Sequence, residues 1–303
     1  MFLREMGSST IWLMTGQSHA YSNFFDMPVD NKRIVGPEVT RPVVMGEQKR
    51  RCKPLISGDS LRQDGRKMDE LRSVFLRSGV VSPARGSAYI EMQRTKVTCA
   101  VYGPRESTRQ QEFSQKGKLT CEFKFAPFSC CQRRQFIQDS EEKEFSSFIV
   151  QALEPAICLE KFPKAQVDIF ISVIENDGNA LSAGILCASI ALGQAGIEMY
   201  GLVSSCSLVQ KGVTSIMDPT FEESTSSEVD GKVTLAFLPT MNVISGLLQE
   251  GELDHDQVIK AVKYCKEGCV RVYPVLQECL VHTVKQAMKS NQDSGANYNK
   301  LQP

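Results

Sequence analysis

The sequence predicts an α+β fold, a mixed β-sheet with covering helices. Three observations carry this. Short segments alternate in polarity or are rich in β-branched residues, with turn residues at their ends. Other segments carry apolar residues at helical spacing. The order along the chain is strands, helix, strand, helix, strands, helix, not a strict alternation of the two.

Each element follows from its own pattern. Val74–Leu76 reads as strand, and Gly79–Gly86 as a turn-rich passage. Ser87–Met92 and Val97–Gly103 read as two strands joined by a hairpin at Gln93-Arg94-Thr95. Cys121–Phe125 alternates and is ended by Pro127. Phe145, Phe148, Ile149, Ala152, Leu153 and Ile157 recur at helical spacing. They predict a helix from Glu141 to about Glu160, with a kink at Pro155. Val167–Ile174 is β-branched and alternating, hence strand. A helix of small residues follows from Ala180 to Gln194, with Gly196 as its stop. It is apolar or small on nearly every side, which predicts burial and close packing against a sheet. Leu202–Val209 and Val233–Leu238 are strands, and Gly246–Gly251 reads as a break. A last helix spans about Asp254–Lys289, with Pro274 expected to interrupt it.

Outside this region the chain is irregular. Residues 1–26 mix Gly and Ser without a period and read as a poorly ordered tail. Residues 27–59 form an irregular arm with Pro28, Pro37, Pro42 and Pro54. Its cluster Lys49-Arg50-Arg51 with Lys53 is either a solvated face or a phosphate or nuclear-import patch. Residues 290–303 are polar and read as a disordered tail, so the folded domain is placed at 60–289.

Composition excludes several classes. Of 303 residues, 42% are hydrophobic and 23% charged, which leaves out collagen, coiled coil and wholesale disorder. No apolar run approaches the roughly 20 residues that span a bilayer. Thirty-five basic residues balance thirty-five acidic ones. The chain therefore lacks the basic excess of a protein that holds nucleic acid alone. The 11 cysteines include no C-x-x-C pair and suggest a reducing compartment. Cys130-Cys131 are adjacent, and Cys265 and Cys269 lie four apart on the last helix. Two further ligands are not in sight, so no metal site and no cofactor are expected.

Generic catalytic motifs are absent: no phosphate-binding G-x-x-x-x-G-K-S/T, no G-x-G-x-x-G after a strand, no G-x-S-x-G. His19, His255 and His282 lie in the tail, at a helix start and on the last helix, poor material for a general base. The best site-shaped segment is the strand-to-helix turn from Glu175 to Ser182. A helix N-terminus presents free N–H groups and suits an anion. Asp177 or Asn179 can equally serve only to cap the helix. No Arg or Lys stands in this turn.

At this point the sequence resembles a known family. Asp64-Gly65-Arg66 with Asp69-Glu70-Leu71-Arg72 looks like the opening signature of the RNase PH family. Gly86-Ser87-Ala88-Tyr89, Thr95-Lys96-Val97 and Val101–Glu106 continue it, as do Ala152–Ile157 and Ala195-Gly196-Ile197. The resemblance covers about residues 60–285. Pro163–Val167, Ala195–Tyr200, Glu267-Gly268-Cys269, Met217–Thr220 and Tyr273–Gln277 resemble the ring subunits of the eukaryotic RNA exosome. So do Met27–Arg33 and Gly36-Pro37-Glu38, which makes residues 1–26 expected to be dispensable.

The resemblance implies the RNase PH-like fold, of the ribosomal protein S5 domain 2-like type. It implies that active members shorten RNA from the 3′ end with phosphate, bound at a Gly-Thr-Arg run in the turn above. Here that run reads Asn179-Ala180-Leu181. Active members also carry an acidic cluster beginning Leu-Asp-x-Asp. Here Asp218 remains and Thr220 replaces the second carboxylate. These five residues, Asn179, Ala180, Leu181, Asp218 and Thr220, read as a degenerate former site with no catalytic residue. The implied role is a structural member of a hexameric ring with single-stranded RNA in its channel. The implied partners are a ring subunit of the ribosomal RNA-processing protein forty-two type, forming a heterodimer, and cap subunits with S1/KH domains. The implied compartments are nucleus, nucleolus and cytoplasm. Arg133 and Arg134 are candidates for the RNA path, or ordinary surface arginines. The alternative is an active phosphate-dependent exoribonuclease or nucleotidyltransferase, and Leu181 is the residue that separates the two.

Overall fold

Strand periodicity in the first half of the chain builds one sheet. The computed structural model describes residues 62–106, 116–212, 214–226 and 229–298. The tail, the arm, the cluster at Lys49–Lys53 and His19 lie outside the described residues. The strands are β1 (Val74–Ser78), β2 (Gly86–Met92), β3 (Thr95–Glu106), β4 (Lys118–Phe125) and β5 (Ala165–Glu175), in the order β1-β2-β3-β5-β4. Neighbours are antiparallel apart from β4 and β5, which are parallel. Parallel strands need a long crossover. It contains helix α1 (Ser140–Leu153). Ala88, Ile90, Val97, Cys99, Ile169 and Ile171 are buried, while Phe170 and Ile174 point away from that core and are exposed.

Helix α1 shields an edge. β4 ends the sheet, so its outer N–H groups need partners. The N–H of Phe123 donates to Ser146 Oγ at 2.9 Å, and that of Phe125 to Glu142 Oε1 at 2.8 Å. Glu142 Oε2 also accepts the N–H of Asp139, just before the helix, at 3.1 Å. The helix stops at Leu153, not near Glu160, and a 3₁₀ turn at Glu154–Ala156 follows. Pro155 has no N–H to donate to the preceding turn, which ends the α-helix instead of kinking it.

The second half of the chain forms a separate sheet. Strands β6 (Ser204–Lys211), β7 (Thr214–Met217), β8 (Gly231–Leu238) and β9 (Val243–Gly251) are antiparallel in the order β7-β6-β8-β9. β9 corrects the expected break at Gly246–Gly251. Two glycines read as punctuation, yet Gly246 is there because a Cβ would lie 3.1 Å from the Phe148 ring.

Helix α2 (Ala180–Gln194) packs against both sheets. Thirteen of its residues are buried, from Ala180 to Leu192. Its small residues permit the contact: a Cβ on Gly184 would stand 3.1 Å from Phe123. Gly86 on β2 leaves no room at all, since a Cβ would fall 2.2 Å from the Ala191 carbonyl oxygen.

Helix α3 is the short turn Phe221–Ser224, and α4 runs from His255 to Tyr298. Ala261, Cys265 and Cys269 of α4 cover Cys206, Leu208, Leu235 and Phe237, and Val272 and Leu276 join the larger core beside α2. Pro274 sits inside a continuous helix. Burial of Val272 and Leu276 on either side outweighs the lost backbone bond. The helix also passes Ser290, where a disordered tail was expected. Once nucleated, a helix extends at little cost per residue even through polar sequence.

Candidate functional site

The turn from β5 into α2 is built from two successive left-handed residues, Gly178 (φ 87°) and Asn179 (φ 59°). Gly178 is required twice over. Its φ is unfavourable for a side chain, and a Cβ would lie 2.7 Å from the Phe221 nitrogen. The N–H of Phe221 donates to the Asp177 carbonyl at 2.9 Å, which docks α3 on the turn. Asn179 does not cap α2 with its side chain. Its Nδ2 donates to Asp218 Oδ1 at 2.7 Å, and its Oδ1 accepts from the Ser207 hydroxyl.

Asp218 is fully buried. Arg72 grips it with both prongs, Nε to Oδ2 at 3.0 Å and Nη2 to Oδ1 at 2.7 Å, and the Arg72 backbone N–H adds a third bond at 3.0 Å. Burial alone pushes this carboxyl up; the Arg72 guanidinium and the Asn179 amide outweigh it and hold it below the ordinary value. Arg72 in turn donates to Thr95 Oγ1 at 3.1 Å and to the carbonyls of Asp177 at 3.3 Å and Gly178 at 3.4 Å. Arg62 and Arg66 donate to the Asp218 carbonyl at 3.4 and 3.3 Å.

The structure thus brings Asn179 and Asp218 into contact but gives both structural partners. Ala180 and Leu181 are buried in the apolar core, Leu181 with 3% exposure. Thr220 caps α3: its Oγ1 accepts from the Glu223 N–H at 3.4 Å, and Glu223 Oε2 accepts from the Thr220 N–H at 2.9 Å. Asp177 is half-buried, and burial raises its carboxyl above the ordinary value despite Arg72. Arg133 and Arg134 lie in the loop after β4, tied to the turn by the Asn176 N–H donating to the Ser129 carbonyl at 2.9 Å. Their environments differ. Arg134 donates to Glu141 at 2.8 Å and covers the Phe125 ring at 4.1 Å, while Arg133 is exposed.

Arg72, Thr95, Ser207 and Glu223 organise this region and were not singled out by sequence. The signal for Arg72 was its place in the Asp69–Arg72 signature, and that for Thr95 its place in Thr95-Lys96-Val97; Ser207 and Glu223 carried none. Cys265 and Cys269 face the β8 backbone in the core. Among the described residues no group of three or more His, Cys, Asp or Glu is placed to hold a metal ion. No described helix is long and apolar enough to cross a membrane.

The family model described as 3′ exoribonuclease family, domain 1 (RNase PH) matches residues 70–198. Human exosome complex component MTR3 is 36% identical over 276 residues, 86% of this chain and 97% of that protein. The chain belongs to the RNase PH family. The mouse MTR3 component matches equally at 36% over 277 residues. Those two relatives are of the mRNA transport regulator three type, the ring-subunit type to which the phrases at Pro163–Val167 and Ala195–Tyr200 point. The Rrp41 exosome component of Methanopyrus kandleri is 39% identical over 220 residues, 72% of this chain and 91% of that one. Solved structures share the fold. Rice Rrp46 superposes with a TM-score of 0.64 at 22% identity, covering 72% of this chain and all of that one. A chain of the Archaeoglobus fulgidus exosome, solved with RNA bound to the active site, gives 0.61 at 21% identity over 71% of this chain and 92% of that one.

Proposed function

We propose that this RNase PH chain is a non-catalytic structural subunit of the hexameric ring of the RNA exosome. It supports 3′-to-5′ RNA processing and decay, including rRNA maturation and mRNA turnover. Two relatives that this chain covers almost end to end are named exosome components, which supports ring membership. Its neighbours in this reading are other RNase PH-like subunits, one of the ribosomal RNA-processing protein forty-two type as heterodimer partner, and S1/KH cap subunits. Single-stranded RNA passes through the channel, with exposed Arg133 the freer of the two loop arginines to meet it. The compartments are nucleus, nucleolus and cytoplasm.

One observation carries the non-catalytic part: Leu181 is buried where the family motif places an arginine. Phosphorolysis brings a phosphate against a phosphodiester and gathers negative charge in a small volume. A helix N-terminus supplies about half a positive charge. A guanidinium would add a full charge and a two-pronged donor set. An isobutyl group desolvates the anion without pairing it. Asp218 is closed off by Arg72, and Thr220 is spent on the cap of α3.

The test is a labelled single-stranded RNA with and without inorganic phosphate, added to the chain and to a ring lacking hydrolytic subunits. No phosphate-dependent shortening is expected. Leu181→Arg alone is expected not to restore it, because the second carboxylate is still missing. Release of nucleoside diphosphate would favour the enzyme instead.

A further inference from the structure

We propose that Cys130 and Cys131 form an oxidation-sensitive thiol pair, in which Cys130 reacts with hydrogen peroxide and Cys131 closes a disulfide on it. This is a modification site of the loop after β4, and it stands whether or not the chain sits in a ring.

A cysteine reacts as its thiolate, so a reactive one needs access to solvent and donors or positive charge around its sulfur. Cys130 has both. It is half-buried, and its Sγ accepts from Asn176 Nδ2 at 3.8 Å. Ser129 Oγ lies 3.6 Å from the same sulfur and can donate as well. The Arg134 guanidinium also bonds Cys130. Burial lowers this guanidinium, but its bonds to Glu141 and Cys130 outweigh burial and hold it above its ordinary value. Asp139 and Glu141 take its other donors at 3.7 and 2.8 Å, which fixes it beside the sulfur. Donors thus reach Cys130 from two segments, its own loop and the turn from β5 into α2.

Cys131 stands next in the chain and is exposed. A second thiol beside the reactive one resolves its sulfenic acid before oxidation goes further. The other described thiols lack this combination. Cys99, Cys187, Cys206, Cys265 and Cys269 are buried. Burial pushes Cys121 up to about 12 and also raises Cys279. Cys158 is half-buried with no cysteine beside it in the chain. In the first step the Cys130 thiolate attacks one peroxide oxygen. The S–O bond forms, the O–O bond breaks, and the leaving hydroxide takes a proton to become water. The sulfur loses two electrons and the peroxide gains them. In the second step the Cys131 thiol attacks the Cys130 sulfur. The S–S bond forms, the S–O bond breaks, and the hydroxide leaves as water with the Cys131 proton. Adjacent Cα atoms lie about 3.8 Å apart, less than the roughly 4.4–6.8 Å of ordinary disulfides, so the closed pair is readily reduced again. Closing it takes from Arg134 and Asn176 the thiolate that both hold.

The experiment treats the full chain with hydrogen peroxide, alkylates the remaining thiols and maps tryptic peptides by mass. Cys130 and Cys131 share one peptide, Phe125–Arg133. That peptide is expected to lose two hydrogens and escape alkylation, while Cys158 is alkylated in full. A dithiol reductant should restore both thiols. Cys131→Ser is expected to leave a sulfenic acid on Cys130 that dimedone traps. In that background Arg134→Gln is expected to slow alkylation of Cys130 about threefold or more and to move its pH midpoint upward. Arg134→Lys, which keeps the charge, should recover most of the rate. Faster alkylation with Arg134→Gln would show that access alone governs this thiol, and it overturns the proposal. Should the variants fold poorly, peptide mapping of the native sequence decides the matter. Full alkylation of both cysteines after peroxide overturns the proposal. So does a disulfide between two chains, or sulfinic acid on Cys130 without the internal disulfide.

Discussion

Asp218 shows how a residue's surroundings override its type. Its carboxylate carries a full charge into the interior, which is costly unless the partners are complete. Here they are: the Arg72 guanidinium, the Arg72 backbone N–H and the Asn179 amide. Asp218→Ala leaves the Arg72 guanidinium buried without its partner and is expected to cost about 3–5 kcal/mol, read by denaturant unfolding. The pH dependence has a fixed sign. The folded carboxyl is held below its ordinary value, so the native state binds this proton more weakly than the unfolded chain. The stabilisation is complete above the ordinary carboxylate range and is lost as pH falls through the folded value. Asp218→Asn is expected to flatten that acid limb of the stability curve; an unchanged limb would place the acid sensitivity in other carboxylates. The proposal that Leu181 stands where active members carry an arginine could be made from the sequence, because the resemblance it rests on compares residue types alone. The sequence did not make the burial of Asp218 legible, because the partner Arg72 lies 146 residues away.

At the scale of elements, the pairing of α1 with β4 ties a helix to a strand by polar bonds rather than by apolar contact alone. Glu142 is 3% exposed and holds two backbone N–H groups with its two oxygens. Glu142→Ala strands the Phe125 N–H inside and is expected to cost about 1–3 kcal/mol. Thermal unfolding measures it, and Glu142→Gln, which keeps an acceptor oxygen, should lose less. Helix α2 was legible at both ends from its run of small residues before Gly196, and the body of α4 was legible as an element. β9 was not, because Gly246 and Gly251 read as turn residues. Their role as clearance for Phe148 and for the Asp230 backbone exists only once the sheet is assembled. α3 was missed for a related reason: four residues leave no period to read.

For the whole molecule, co-linear motifs pointed to the family where composition could not. Their physical meaning is now visible in parts. Gly86 lets β2 touch α2, and Arg72 fastens the segment before β1 to the strand end at Asp218. What remained out of reach was the division of the strands into two sheets, since pairing partners are set by packing and not by local pattern. Helix α2 is the wall between them, and its consequence appears during synthesis. A ribosome releases the first sheet and α2 before β6 to β9 exist, so the nascent chain carries a bare apolar helix face. A fragment ending at Tyr200 is therefore expected to be insoluble when made alone. Co-expressed with the remainder from Gly201, it should be rescued into solution, and a soluble, folded N-terminal fragment would show that α2 is satisfied by one sheet.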